Sequence, residues 1–130
     1  MTPTPESDKP LVLVVDDDWM NREMMQAYLE RAAFRVAVAH DAETALQKAV
    51  QLRPRLILLD VRMGEKDGYE VCQELKSDPS TEPIPVVMLS ALATDDARLH
   101  ARQVGAVGFL TKTMNLMQLV DQIRGFITPL

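Results

Sequence analysis

Carboxylates stand at the ends of two apolar runs in this chain. Leu11-Val12-Leu13-Val14-Val15 leads into Asp16-Asp17-Asp18, and Leu56-Ile57-Leu58-Leu59 ends in Asp60. A run that is apolar throughout marks a strand covered on both faces. Two such strands side by side would bring their terminal acids together. Like charges gathered in this way repel, and the usual remedies are a shared proton or a bound divalent cation. An acidic cluster that offers only oxygen suits Mg2+, a hard ion that keeps several waters and takes few protein carboxylates beside phosphate oxygens. Ser90 closes a further apolar run, Val86-Val87-Met88-Leu89, and Lys112 follows Val107 to Leu110. Two acids can hold a cation, a third carboxylate can attack phosphorus, a hydroxyl can hydrogen-bond a phosphoryl oxygen and an ammonium can neutralise another. The residue types point to phosphate chemistry.

The elements that must carry these residues alternate between strand and helix. After a strand over 11–15 the pattern predicts a helix near 19–31, a weaker strand over 35–38 and a helix opened by Asp41 as N-cap. In that second helix Ala42, Ala45, Leu46, Ala49 and Val50 repeat at the spacing of one buried stripe. A strand over 55–59 leads through Arg62, Asp67 and Gly68 into a helix carrying Tyr69, Val71, Cys72 and Leu75, which should stop before Pro79. Pro83 and Pro85 frame a strand over 86–89, Thr94 can cap a helix and Gly105 can stop it. A strand over 107–110 follows, and then a helix marked by Leu116, Leu119, Val120, Ile123 and Ile127. Five strand-helix units joined by short connections require an α/β fold, a doubly wound five-stranded parallel sheet with five helices on both faces. Ligands of such sheets bind beyond the carboxyl ends of the strands, which is where Asp16, Asp17, Asp60, Ser90 and Lys112 all fall.

Composition narrows the classes. With 130 residues, 47% hydrophobic and 25% charged, the chain has the make-up of one ordinary globular domain. A net charge of -5 argues against direct nucleic-acid binding and against an acidic membrane surface. The single cysteine, Cys72, can make neither an internal disulfide nor a zinc site. No apolar stretch reaches the roughly 18 residues of a membrane span, and the first residues lack the features of a secretion signal. A cytoplasmic protein is expected, with a flexible tail over 1–10 and one ordered domain over 11–128. The ending Thr128-Pro129-Leu130 favours a stand-alone domain.

At this point the chain resembles a known family, the receiver domains of two-component response regulators. The likeness rests on Val14-Val15-Asp16-Asp17-Asp18, on Leu58-Leu59-Asp60-Val61-Arg62-Met63 followed by Asp67-Gly68, on Met88-Leu89-Ser90-Ala91, and on Gly105-Ala106 with Phe109-Leu110-Thr111-Lys112. It runs from about Leu11 to Ile127. The resemblance implies the flavodoxin-like strand order 2-1-3-4-5. It implies that Asp60 accepts a phosphoryl group from the phosphohistidine of a sensor histidine kinase or a histidine phosphotransfer protein. Asp17 would bind Mg2+ directly and Asp16 through a metal-bound water, with the Asp60 carboxylate and the backbone carbonyl of Arg62 completing the protein ligands. Ser90 would move toward the phosphoryl oxygen, Lys112 would pair with it, and Phe109 would be the switch aromatic read by a downstream protein target. Such a domain catalyses its own phosphorylation and dephosphorylation and is not a turnover enzyme on an external substrate. The positions two beyond the acceptor and two beyond the hydroxyl, here Arg62 and Leu92, tune hydrolysis. An apolar Leu92 and a long Arg62 predict slow loss of phosphate.

Departures from the family pattern are informative as well. Gly64 replaces a frequent proline after the acceptor, so a looser loop is expected there. Thr113 follows Lys112 where proline is usual, which predicts a trans bond and a rebuilt loop. Val107 and Gly108 replace the acidic pair of a DNA-binding subfamily that dimerises through its fourth and fifth helices, so that dimer mode is not expected.

Plainer readings apply residue by residue. Asp18 reads best as a helix cap. His40 and His100 lack partners at ligand spacing, Met24, Met25, Met63 and Met88 read as core filler, and Cys72 as an inert buried thiol. Trp19 is either a partly exposed reporter beside the acids or a packed aromatic. The alternative function is a haloacid-dehalogenase-like phosphatase with Asp16 as nucleophile, since Asp16-Asp17-Asp18 contains Asp-x-Asp. Against it, Trp19-Met20 does not continue that motif and no acidic pair follows Lys112. A flavodoxin-like flavin binder would need a Gly/Ser/Thr-rich loop where the acids stand.

Overall fold

The computed structural model describes residues 9–64, 66–112 and 114–127. The predicted 1–10 tail and the end of the chain fall largely outside these residues, as does Thr113 and with it the conformation of the Lys112-Thr113 bond. The elements alternate as β1 Leu11–Val15, α1 Trp19–Arg31, β2 Arg35–Ala39, α2 Ala42–Leu52, β3 Leu56–Asp60, α3 Gly68–Ser77, β4 Val86–Ser90, α4 Asp95–Gln103, β5 Gly108–Thr111 and α5 Leu116–Phe126. All neighbouring strands are parallel, in the order β2-β1-β3-β4-β5. The chain is therefore the expected doubly wound α/β sheet.

Local chemistry accounts for where the helices start. Each opens on a side-chain oxygen that accepts one of the backbone N–H groups the helix cannot pair internally. Asp18 accepts from Met20, Asp41 from Thr44, Asp67 from Glu70, Thr94 from Ala97 and Asn115 from Gln118. Asp18 is thus a cap, as its position suggests.

The strands alternate their side chains between two apolar layers. Leu13, Val15, Ile57, Leu59, Val86 and Met88 pack beneath α2, α3 and α4 with Ala45, Ala49, Val71, Cys72, Leu75 and Ala101. Val12, Val14, Leu56, Leu58, Val87 and Leu89 face α1 and α5 through Met25, Leu29, Leu119, Val120 and Ile123. Because β3 and β4 are buried along their whole length, their last residues, Asp60 and Ser90, are carried into the interior by the run that precedes them.

Three expectations need correction. Val50 is 46% exposed, so the buried stripe of α2 is narrower than its spacing suggests and Val50 lies at its edge. Met24 is 45% exposed and is not core filler, whereas Met25, Met63 and Met88 are buried. The last strand spans Gly108–Thr111 rather than 107–110; Val107 precedes it, donating its N–H to the Val86 carbonyl at 2.8 Å, with its side chain exposed. Among the described residues no helix is long and apolar enough to cross a membrane.

Candidate functional site

The parallel register delivers the predicted residues to one edge of the sheet. β1 and β3 lie side by side with Val15 opposite Leu59, so Asp16 and Asp60 leave adjacent strand ends together. Asp16, Asp17 and Asp60 each place a carboxylate oxygen within 4.8 Å of the others. Asp16 and Asp60 are buried and Asp17 is exposed. From β5, Lys112 reaches across with Nζ 2.7 Å from Asp60 Oδ2 and 3.6 Å from Asp16 Oδ2. The lysine is aimed by its own backbone, whose N–H donates to the Ser90 carbonyl at 2.8 Å.

Each buried acid has its other oxygen on a backbone donor. Asp60 Oδ1 accepts from the Arg62 N–H at 3.1 Å, and Asp16 Oδ1 from the Asp18 N–H at 2.9 Å. These bonds fix the carboxylate planes and leave Lys112 between the two free edges. Burial pushes the Asp16 carboxyl up to about 6; the Asp18 N–H and the Lys112 charge pull the other way, and the nearby Asp60 charge adds to the rise. Burial also opposes the charge on Lys112, but the hydrogen bond and charge of Asp60, with Asp16 behind it, outweigh that and raise its pKa. The ammonium is therefore held charged among the acids.

The other predicted residues surround this centre. Ser90 is buried and its Oγ accepts from the Leu92 N–H at 3.1 Å. Phe109 lies beside Met88 in the sheet, half-buried, on the side of α4, with the Arg98 guanidinium 5.2 Å from its ring centre. The side chains of Arg62 and Leu92 are exposed. Gly64 has φ +61, a left-handed conformation that suits glycine. Cys72 is buried, and burial pushes its thiol up to about 11, as expected for an inert cysteine. Trp19 is 59% exposed beside the acids.

Comparison with known proteins decides the family. The family model of the response regulator receiver domain matches residues 12–124. The chain belongs to the response regulator receiver family. It is 41% identical over 113 residues to the response regulator PleD of Caulobacter vibrioides, covering 87% of this chain and 25% of PleD. Its identity to the DNA-binding dual master transcriptional regulator RpaA of Synechocystis is 35% over 118 residues, covering 91% of the chain and 49% of RpaA. The receiver domain thus spans a quarter to a half of the length of these curated relatives. Among solved structures, the chemotaxis protein CheY4 of Vibrio cholerae superposes with a TM-score of 0.86 at 29% identity, covering 91% of this chain and 98% of that one. The BeF3-activated receiver domain of Klebsiella pneumoniae RstA gives 0.83 at 25% identity, covering 92% and 99%. These matches lend no support to the dehalogenase-like alternative built on Asp16.

Two supports of the site had no separate role in the sequence reading. Gly68 donates its N–H to the Val61 carbonyl at 2.6 Å, and a Cβ there would lie 2.1 Å from the Asp60 carbonyl oxygen. The Asp67-Gly68 pair is visible in sequence, but the close approach that demands glycine is a tertiary fact. Arg22 donates from Nη1 to the Asp16 carbonyl at 2.7 Å, tying α1 to the end of β1. Nothing in the spacing of Arg22 signals that bond.

Proposed function

We propose that this receiver domain, taken as residues 11–128, is a phosphoacceptor switch of a two-component or phosphorelay system and that Asp60 is its acceptor. The observation that supports this most strongly is Lys112 held between two buried carboxylates at 2.7 and 3.6 Å, with a third acid beside them. A carboxylate oxygen of Asp60 attacks the phosphorus of a phosphohistidine on a cytoplasmic histidine kinase or phosphotransfer protein. The O–P bond forms as the P–N bond breaks, and the leaving imidazole keeps the electron pair. Lys112 then turns from the carboxylate toward a phosphoryl oxygen, and the Ser90 hydroxyl donates to another.

Three carboxylates offering only oxygen fit Mg2+. Asp16, Asp17, Asp60 and the backbone carbonyl of Arg62 would hold it, and the bound ion offsets charge on the phosphoryl group. The domain acts on itself rather than turning over an external substrate. Its output is a changed surface around Ser90 and Phe109, read by a downstream protein, because a phosphoryl group adds charge and bulk where loops can take two positions.

The test is incubation with acetyl phosphate and Mg2+, followed by intact mass and hydroxylamine treatment. One hydroxylamine-labile phosphoryl group is expected on the wild type and none on Asp60→Asn. Equal labelling of the variant overturns the assignment, and steady release of phosphate from a general phosphate ester would favour a phosphatase instead.

A further inference from the structure

Folded interiors leave few voids larger than a water molecule. Between α1, α5 and the sheet, this chain leaves a cavity of about 170 Å³ behind the acidic edge. Val14, Leu58 and Leu89 of the sheet and Leu119 of α5 supply apolar wall, all from the layer that packs under α1 and α5. A cavity of roughly 150 Å³ with apolar walls stays dry and takes up a single benzene ring. Three methionines, Met24, Met25 and Met114, also line the space. Their thioether sulfurs make favourable contacts with aromatic rings, and their unbranched side chains adapt to the shape of a guest. Polar residues stand at the end nearest the acidic edge, where Asp16, Asn21 and Lys112 meet the cavity. Lys112 is engaged there with Asp60 and Asp16. Among the described residues the Asn21 side-chain amide has no hydrogen-bond partner in the protein, so it can both donate to and accept from a hydroxyl. Met24, which is half-exposed, stands at the mouth.

From the size of this cavity, its methionine lining and the free amide at its polar end, we propose that it binds a small molecule of one aromatic ring bearing a hydroxyl. The ring lies among the methionines and the hydroxyl meets the Asn21 amide. A saturated ring of the same size fills the volume but forgoes the contacts between sulfur and the aromatic face. An anionic guest fits less well, because Asp16, Asp17 and Asp60 outnumber Lys112 at the polar end. Water fits less well too, since a buried water needs two to four polar partners and most of the wall offers none. The cavity adjoins the phosphoacceptor centre, yet it takes a different class of molecule and does not depend on the phosphoacceptor reading.

The experiment uses the full chain, labelled with 15N and kept in chelator so that no cation competes at Asp16, and titrates it with phenol, with cyclohexanol and with benzoate. Phenol should give saturable shifts of the Val14, Leu58, Leu89 and Leu119 amides. Cyclohexanol should bind several-fold more weakly, and benzoate should leave these amides unmoved. Leu119→Phe fills the cavity from α5, and Met24→Trp adds bulk at the half-exposed mouth, where folding is less at risk. Each should weaken phenol binding about tenfold or more, and Asn21→Ala about threefold, with the rest of the amide spectrum confirming the fold. Should Leu119→Phe fail to fold, Met24→Trp decides. Shifts that grow without saturating, as a cavity holding only water or closed in solution would give, overturn the proposal. So do saturable shifts confined to other elements, cyclohexanol or benzoate binding as tightly as phenol, and unchanged phenol affinity in a folded bulky variant or in Asn21→Ala.

Discussion

At the scale of residues, the site balances one ammonium against two buried carboxylates, and that balance depends on pH. Asp16 is raised from 3.8 to about 6 by burial. A raised carboxyl binds its proton more tightly in the folded than in the unfolded chain, so its contribution to stability is full below pH 3.8 and is lost as pH rises through about 6. Urea unfolding in the presence of a chelator should therefore show stability falling across that window by about 3 kcal/mol. Asp16→Asn should flatten this slope, and an unchanged slope would locate the titration elsewhere. Lifetime is the second residue-scale question. Arg62 and Leu92 both have exposed side chains, and both are tied to the site through backbone N–H bonds to Asp60 and Ser90. If they cover the approach of water to the acyl phosphate, Arg62→Ala with Leu92→Ala should lose phosphate faster than a slow wild type. Identical decay rates would show that neither shields the phosphoryl group.

At the scale of elements, the buried strands and the helix starts are readable because each rests on local chemistry, while strands β2 to β5 run one residue further than their apolar runs. Asp18, Asp41 and Thr94 cap the helices their positions suggested, and the apolar runs of β1, β3 and β4 identified the buried strands. Half-exposed positions were harder. Val50 continues the α2 spacing and Met24 sits in an apolar stretch, yet both reach solvent, because how wide a buried stripe is depends on what packs over it. Contacts between distant elements were not readable at all. The His100 ring stacks on Tyr69 at 3.8 Å, joining α4 to α3, and Arg22 reaches back to β1. Gly68 shows the same limit and provides a test. A methyl at Gly68 would strike the backbone carbonyl of Asp60 itself, so Gly68→Ala should cost about 1–3 kcal/mol in urea unfolding and, with Asp60 as the proposed acceptor, slow labelling by displacing it. Gly125→Ala is the control. A Cβ there meets nothing within 4 Å, and in helix α5 it should stabilise by about 0.5–1 kcal/mol. Equal effects at the two sites would mean that the α3 start tolerates a shift.

At the scale of the whole molecule, two apolar layers hold a rigid sheet while its acidic edge works against the fold. The acids converge because the strands that carry them are buried, so the repulsion follows directly from the packing that stabilises the domain. A cation that binds only the folded edge should then stabilise the entire domain by mass action, about 2.7 kcal/mol at a hundredfold excess over Kd. Asp17 is the member of the cluster that solvent reaches. Asp17→Asn removes one repelling charge and replaces a charged oxygen ligand with a weaker neutral amide oxygen, so it should leave the metal-free domain as stable as the wild type or more so, and shrink the gain from Mg2+. The comparison is thermal unfolding with chelator and with Mg2+, supported by Mg2+ titration of the fluorescence of Trp19, which stands exposed beside the acids. Full retention of the Mg2+ gain in Asp17→Asn would show that the cation is held without Asp17, and the ligand assignment would have to be redrawn around Asp16 and Asp60.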